Sequence, residues 1–298
     1  MRFTFRRDCL CGVLAWMVVF GHSLASAAEV AVATVTKPQP THVIAFSTDV
    51  VPILTKLSCN SGGCHGKATG QNGFRLSLLG FEPEFDYAAL LQEGRGRRIS
   101  VSSPENSLLL IKGTSRVPHG GGKRLDVDSD DYQVLVDWIR QGAAGPRADD
   151  VTLERITVLP AKRVLSRAAT QQLLVTAHFS DGTTRDVTRR AIYDSNMPEI
   201  ATAANNGLVT VQPRSGLFAI MVQFGGQIGV FQGVIPISSP ELATAAVAAI
   251  PQTTYPAIDE PLFEQWRQLG VIPSAVADDA TFIRRATIDI CGTLPTVD

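Results

Sequence analysis

The apolar positions along this chain change their period twice. Between residues 42 and 147 they recur at spacings of three and four. Val50, Ile53, Leu54 and Leu57 make one helical face behind Asp49, a suitable cap, with Pro52 in the first turn where a missing N–H does little harm. Phe74, Leu76, Leu78 and Leu79 return apolar surface, and short helices are predicted after them over 86–92 and 105–112. The most regular run is Ser129 to Gly142: a serine cap, acidic residues in the first turn, Tyr132, Leu135, Val136 and Ile139 on one face, and a glycine stop.

From 151 to 237 the period is two. Leu173, Val175, Ala177 and Phe179 alternate with Leu174, Thr176 and His178 before a turn at Asp181-Gly182. Asn206-Gly207 leads into Leu208 to Val211, and Gly225-Gly226 separates Ile220, Val222 and Phe224 from Ile228 and Val230 as in a hairpin. Several short strands at this spacing predict a β-sandwich. His178, alone on a strand, reads as a packing or surface residue.

Residues 238–258 are rich in alanine and proline and read as a linker, and 259–298 return to helical spacing, with helices over 262–269 and 279–289 and Ile283, Ala286, Thr287 and Ile290 on one face. The first 28 residues have another character. Arg2, Arg6 and Arg7 precede an apolar run from Cys9 to Phe20 and the small residues Ala25-Ser26-Ala27, the layout of a cleaved export signal. That run is too short to span a membrane comfortably, so the mature chain is expected to be exported to the periplasm or cell surface without a span.

The whole chain has 298 residues, 45% of them hydrophobic and 18% charged, which suits two or three packed domains and excludes a disordered chain. Its formal charge of −1 gives nucleic acid or an anionic membrane nothing to be drawn to. No acid/base pair, nucleophile constellation or phosphate loop stands out, so no enzyme is assigned to these residues.

The candidate chemistry is concentrated in Cys59-Asn60-Ser61-Gly62-Gly63-Cys64-His65-Gly66. A cysteine directly followed by histidine, with another cysteine upstream, is the attachment pattern of c-type haem, although the usual spacer is two residues and this one has four. His65 is then the proximal iron ligand. No methionine lies between it and Met197, so a second axial ligand within 42–147 falls to His119 or His42. Arg95, Arg97, Arg98, Lys123 and Arg124 are either partners for haem propionates or solvated surface charge. Two rival readings share the motif. Cys59 and Cys64 suit a disulfide in an oxidising compartment, and together with His65 and His119 they match a Cys2His2 zinc inventory.

Five segments resemble the planctomycete-type cytochrome c domain: Asp49 to Leu54, Cys59 to Lys67, Gly70 to Leu78, Pro118 to Arg124 and Trp138 to Ala143. That resemblance implies a small all-α cytochrome c-like domain over 42–147, with haem c held covalently by Cys59 and Cys64 and ligated by His65. Phe179 to Thr188 and Asn206 to Val209 resemble the bacterial Ig-like domain, group two, implying an all-β Ig-like sandwich over 151–237 that acts as a spacer or contacts the cell envelope or a polysaccharide. Phe282 to Thr296 resemble the helical opening of a larger domain found beside planctomycete-type cytochromes, so 259–298 is expected to be the truncated start of a third domain in a longer exported protein. Two functions follow as expectations. One is an exported haem protein passing electrons to a redox partner protein. The other is a surface interaction protein in which Cys59–Cys64 is a disulfide and no haem binds.

Overall fold

The structure is a computed structural model that describes residues 43–66, 68–248 and 255–296. The export signal, His42 and Lys67 fall outside the described residues. The chain is multidomain and mixed, with a helical part followed by sheets and then further helices. Among the described residues no helix is long and apolar enough to cross a membrane.

The helical part begins earlier than the apolar pattern predicts. A stretch in π-helical hydrogen bonding, Phe46–Val50, runs straight into α1 (Val51–Lys56). Asp49 is therefore not the residue at the cap position: it is inside the helical stretch, and its carboxylate accepts the N–H of Ala45, which is at that position, at 3.0 Å. Helix α2 (Pro83–Leu91) starts on its proline, three residues ahead of the expected start at 86. The helix expected over 105–112 is broken at Ser107 into a 3-10 turn, Pro104–Asn106, and α3 (Leu108–Gly113). Helix α4 (Asp130–Arg140) matches its pattern, and the Ser129 hydroxyl accepts the Tyr132 N–H at 3.1 Å. Its predicted face is buried, and so is Trp138, whose indole N–H donates to the Ala144 carbonyl at 2.9 Å.

These helices share one apolar core that includes Phe46, Ile53, Leu54, Leu90, Leu110, Leu135, Trp138 and Ile139. Phe46 sits at its centre, with ring centres 5.4 Å from both Tyr87 and Trp138. Leu76 joins the core, whereas Leu78 and Leu79 are exposed, contrary to the apolar run they belong to.

Ten strands follow: β1 (Leu153–Leu159), β2 (Lys162–Val164), β3 (Thr170–Gln172), β4 (Leu174–Phe179), β5 (Thr184–Asp186), β6 (Ile192–Ser195), β7 (Ala201–Ala203), β8 (Leu208–Val211), β9 (Gly216–Phe224) and β10 (Gln227–Ile235). They form three small sheets in the orders β1-β4-β5, β2-β10-β9-β6 and β3-β8-β7. All pairings are antiparallel except β2 with β10. The alternation read from the sequence sets the inside: Val175, Ala177 and Phe179 of β4 and Ile220, Val222 and Phe224 of β9 fill a second core, separate from the helical one. Gly225 and Gly226 both take positive φ, as a two-residue hairpin with matching twist demands.

The segment read as a linker contains a helix, α5 (Pro240–Ala248), because an alanine-rich run has helical propensity of its own. Beyond it, α6 (Pro256–Leu269) and α7 (Asp279–Cys291) are longer than predicted. The apolar face expected on α7 is not buried, with Ile283 51% and Ile290 83% exposed.

Candidate functional site

The residues that lead into the cysteine–histidine motif are held from two sides. Asp49, buried, accepts Arg185 at 3.1 Å and Arg190 at 3.3 Å from the β part. Lys56, at the end of α1, pairs with Asp131 of α4 at 2.8 Å and also donates to the Arg189 carbonyl. These charges line a cleft of about 1070 Å³ between the helical and β parts. Three residues on from Lys56 the chain enters Cys59.

The motif is wound on itself by its own backbone. The Cys59 N–H donates to Leu54, His65 to the Cys59 carbonyl at 2.9 Å, and Cys64 and Gly66 both to Ser61. The His65-to-Cys59 bond closes the spacer into a ring. Gly62 and Gly63 stand exposed at its outer edge with open space around each α-carbon, so the two additional spacer residues are looped out and do not stretch the motif. Asn60 is fully buried beneath it, donating to Thr55 Oγ1 at 2.8 Å. Cys59 and Cys64 are free thiols, both half-buried. Burial, with Cys64 nearby, pushes the Cys59 thiol up to about 11, so it remains a neutral thiol at physiological pH.

His65 and His119 are brought together. Their ring planes are 9° from parallel and their centres 6.5 Å apart. Each ring is oriented by a carbonyl: His65 Nδ1 lies 3.0 Å from the Phe74 oxygen and His119 Nδ1 2.9 Å from the Gly122 oxygen. A carbonyl only accepts, so each Nδ1 carries a proton and Nε2 is the ring nitrogen left for other contacts, as in a metal-binding histidine whose other nitrogen is held by a hydrogen bond. Burial is the main reason that His65 binds a proton less readily than an ordinary histidine; the Phe74 carbonyl works against it, and the nearby Arg98 charge adds to it.

The spacing tests what the pair can hold. A metal–nitrogen bond of about 2 Å and a ring nitrogen roughly 1.2 Å from its ring centre place two imidazoles on one ion with centres about 6.4 Å apart. The observed separation of 6.5 Å is close to that span, and the two rings are stacked. It does not fit the zinc reading: among the described residues no three His, Cys, Asp or Glu side chains gather around one point.

His119 is no loose surface residue. Its loop is closed by the Gly122 N–H donating to the His119 carbonyl at 2.9 Å, and Lys112 Nζ grips the Pro118 carbonyl at 2.6 Å. Arg124 and Leu125 both donate to the Gly113 carbonyl at the end of α3. Gly121 lies against the imidazole, where a Cβ would come within 3.1 Å of His119 Cε1.

Of the five basic residues weighed as propionate partners, four are exposed. Lys123 pairs with Asp126, and Arg124 donates to the Gly121 carbonyl at 2.8 Å. Arg98 is different. It is 7% exposed, so the solvated reading fails for it. Its guanidinium carbon lies 4.4 Å from the centre of the Phe74 ring, and that ring lies 4.5 Å from His65. Phe74 is the site residue that sequence reasoning missed. Its signal was Asn72-Gly73, both at positive φ, which makes the tight turn bridging Gln71 and Phe74 and returns Phe74 to His65. His178 is unrelated to this site and hydrogen-bonds Thr157 across β1 and β4 at 2.8 Å.

No family model matches this chain, and none of the curated proteins does. Among solved structures it is similar to the S-layer protein rSbsC, with 21% identity over 29% of this chain and 13% of that one, at a TM-score of 0.26. It is similar to domains 4–9 of surface layer protein SbsC, with 18% identity over 30% and 15% of the two chains and a TM-score of 0.27. The EHEC O157:H7 intimin mutant matches at 15% identity over 40% of this chain and 68% of that chain, with a TM-score of 0.19. The chain thus spans only 13 to 15% of those longer S-layer proteins. Likenesses this slight assign it no function.

Proposed function

We propose that this chain is an exported c-type haem protein that passes electrons to a redox partner protein. Haem c would be held covalently by Cys59 and Cys64, with His65 and His119 as the residues that would ligate its iron. The observation that carries the reading is the pair of near-parallel imidazoles 6.5 Å apart, each with Nδ1 committed to a backbone carbonyl. Haem, when bound, supplies one-electron exchange at its iron. What this chain contributes is attachment and orientation. Cys59, neutral and half-buried, and Cys64 present thiols for thioether formation. The Phe74 and Gly122 carbonyls fix the two imidazoles, and Cys59 and Phe74 pack against the helical core. The helical part is then a small cytochrome c-like domain. The β part serves as an Ig-like spacer or as a contact to the cell envelope, and the destination is the periplasm or cell surface.

The test is to produce the full chain in a host that matures c-type haem, then measure its intact mass and its reduced haemochrome spectrum. One haem per chain and a low-spin spectrum are expected, with His119→Ala turning it high-spin while the haem remains attached. Colourless protein at the mass of the bare polypeptide overturns the proposal. A low-spin spectrum unchanged in His119→Ala removes His119 from the iron.

A further inference from the structure

Arg98 occupies a costly position. Taking a guanidinium out of water is expensive unless its charge is matched, and an apolar side chain of similar size often serves stability as well or better. Arg98 nevertheless lies buried, with Nη1 donating to the Ala89 carbonyl at 2.6 Å. The nearest carboxylate, Glu93, stands 4.0 Å away and is itself 40% exposed, so it neutralises the charge only in part. The backbone makes room for this arrangement. Gly94, at φ +61, lies against the guanidinium, where an added Cβ would come within 3.2 to 3.4 Å of Nη1, Cζ and Nη2.

The guanidinium is spent on one ring. It sits over Phe74 at 4.4 Å, within the range where a cation is attracted to an aromatic face. Phe74 in turn holds His65 twice, by its ring at 4.5 Å and by its carbonyl, which accepts the Nδ1 proton at 3.0 Å. Resting on the haem reading above, we infer that Arg98 is a positioning residue for the proximal ligand: it clamps Phe74, and through it the His65 imidazole, while its buried positive charge raises the reduction potential of the iron. The sign follows from electrostatics. The oxidised iron carries one more positive charge than the reduced iron, so a fixed cation nearby penalises the oxidised state more. Arg98 therefore has two separable jobs, charge and flat stacking.

The experiment uses the haem-loaded full chain. Midpoint potentials are measured by titration with dithionite and ferricyanide, and ligand-plane orientation by low-temperature electron paramagnetic resonance of the oxidised protein. Arg98→Met is expected to weaken electron affinity on the order of ten-fold, which is about 59 mV for a one-electron couple, and to change the resonance signature. Arg98→Lys keeps the charge and loses the planar face, so it should recover most of the potential but not the signature. Glu93→Gln, at an exposed position, should move the potential the opposite way. Haem-loaded Arg98→Met with potential and resonance both unchanged overturns the inference. Should Arg98→Met fail to load haem, an unmoved potential in Glu93→Gln overturns it instead. A wild-type chain without haem fails earlier and sinks the parent reading, so the two failures are told apart.

Discussion

Gly66 shows at the scale of one residue how tightly the motif is wound. A Cβ there would come within 2.0 Å of the Asn60 carbonyl oxygen and 2.6 Å of its carbon. Both are backbone atoms, and the oxygen is already held by the Leu79 N–H at 3.1 Å, so neither can step aside cheaply. Gly66→Ala is expected to cost about 1–3 kcal/mol, the range for forcing extra volume into a packed site, and to lower haem loading. Gly62→Ala and Gly63→Ala, with open space at both positions, should leave thermal unfolding and haem content as they are. Equal losses in all three would contradict the looped-out spacer. The same scale shows what one sequence can and cannot disclose. Cys59, Cys64 and His65 stand out as candidates because the attachment pattern of c-type haem sets such residues close together in the chain. His119 was legible as a candidate by elimination, since methionine is missing from that part of the chain. Phe74 and Arg98 were not, because nothing in residue type distinguishes a phenylalanine that touches an imidazole or an arginine that is buried from their surface counterparts. Only the turn at Asn72-Gly73 and the fold of 93–98 bring them in.

Among the elements, the ones read well were those whose burial follows period alone. Helix α4 and strands β4 and β9 each present a face that one core takes up whole. The misreadings share a cause, which is that a local pattern was overruled by a contact elsewhere. Asp49 has the chemistry of a cap and is used for a distant ion pair; Ile290 has the spacing of a core residue and has no core to enter. Strand β6 gives a testable case. Tyr193 on this strand donates its hydroxyl to the Thr188 carbonyl at 2.7 Å, and burial, with Asp186 adding, pushes its phenol well above the ordinary range. A raised folded value means that the folded state keeps the neutral phenol where the unfolded chain gives up its proton. Stability from this group is whole below about pH 10, the unfolded value, and falls as pH rises through it. Tyr193→Phe should lose about 0.5–1.5 kcal/mol at pH 8 for the missing hydrogen bond, then close the gap to wild type at pH 11. Urea unfolding at both pH values measures this, and a gap that stays constant would mean that the phenol does not control β6.

At the scale of the molecule, the helical and β parts have separate cores, so each has its own reason to stay folded. What ties one to the other is charge. Asp49 holds Arg185 and Arg190, and Lys56 reaches the Arg189 carbonyl from three residues before Cys59. The β part is therefore braced against the very helix that delivers the cysteine–histidine motif. Removing one partner of a buried ion pair leaves the others uncompensated and typically costs 3–5 kcal/mol; the two arginines here are 28 to 29% exposed and recover some hydration, so about 2–3 kcal/mol is expected for Asp49→Ala. The more informative outcome is the loss of coupling. In the wild type, peptides from α4 and from β9 should lose hydrogen-exchange protection at the same urea concentration, because neither part opens without breaking the Asp49 cluster. In Asp49→Ala the helical peptides should open first, since the lost carboxylate also holds the Ala45 N–H ahead of α1, while β9 keeps its protection to higher urea. Coincident loss of protection in both proteins would mean that the two cores are joined by something other than this cluster, and that the helical part does not depend on its neighbour to hold α1 in place.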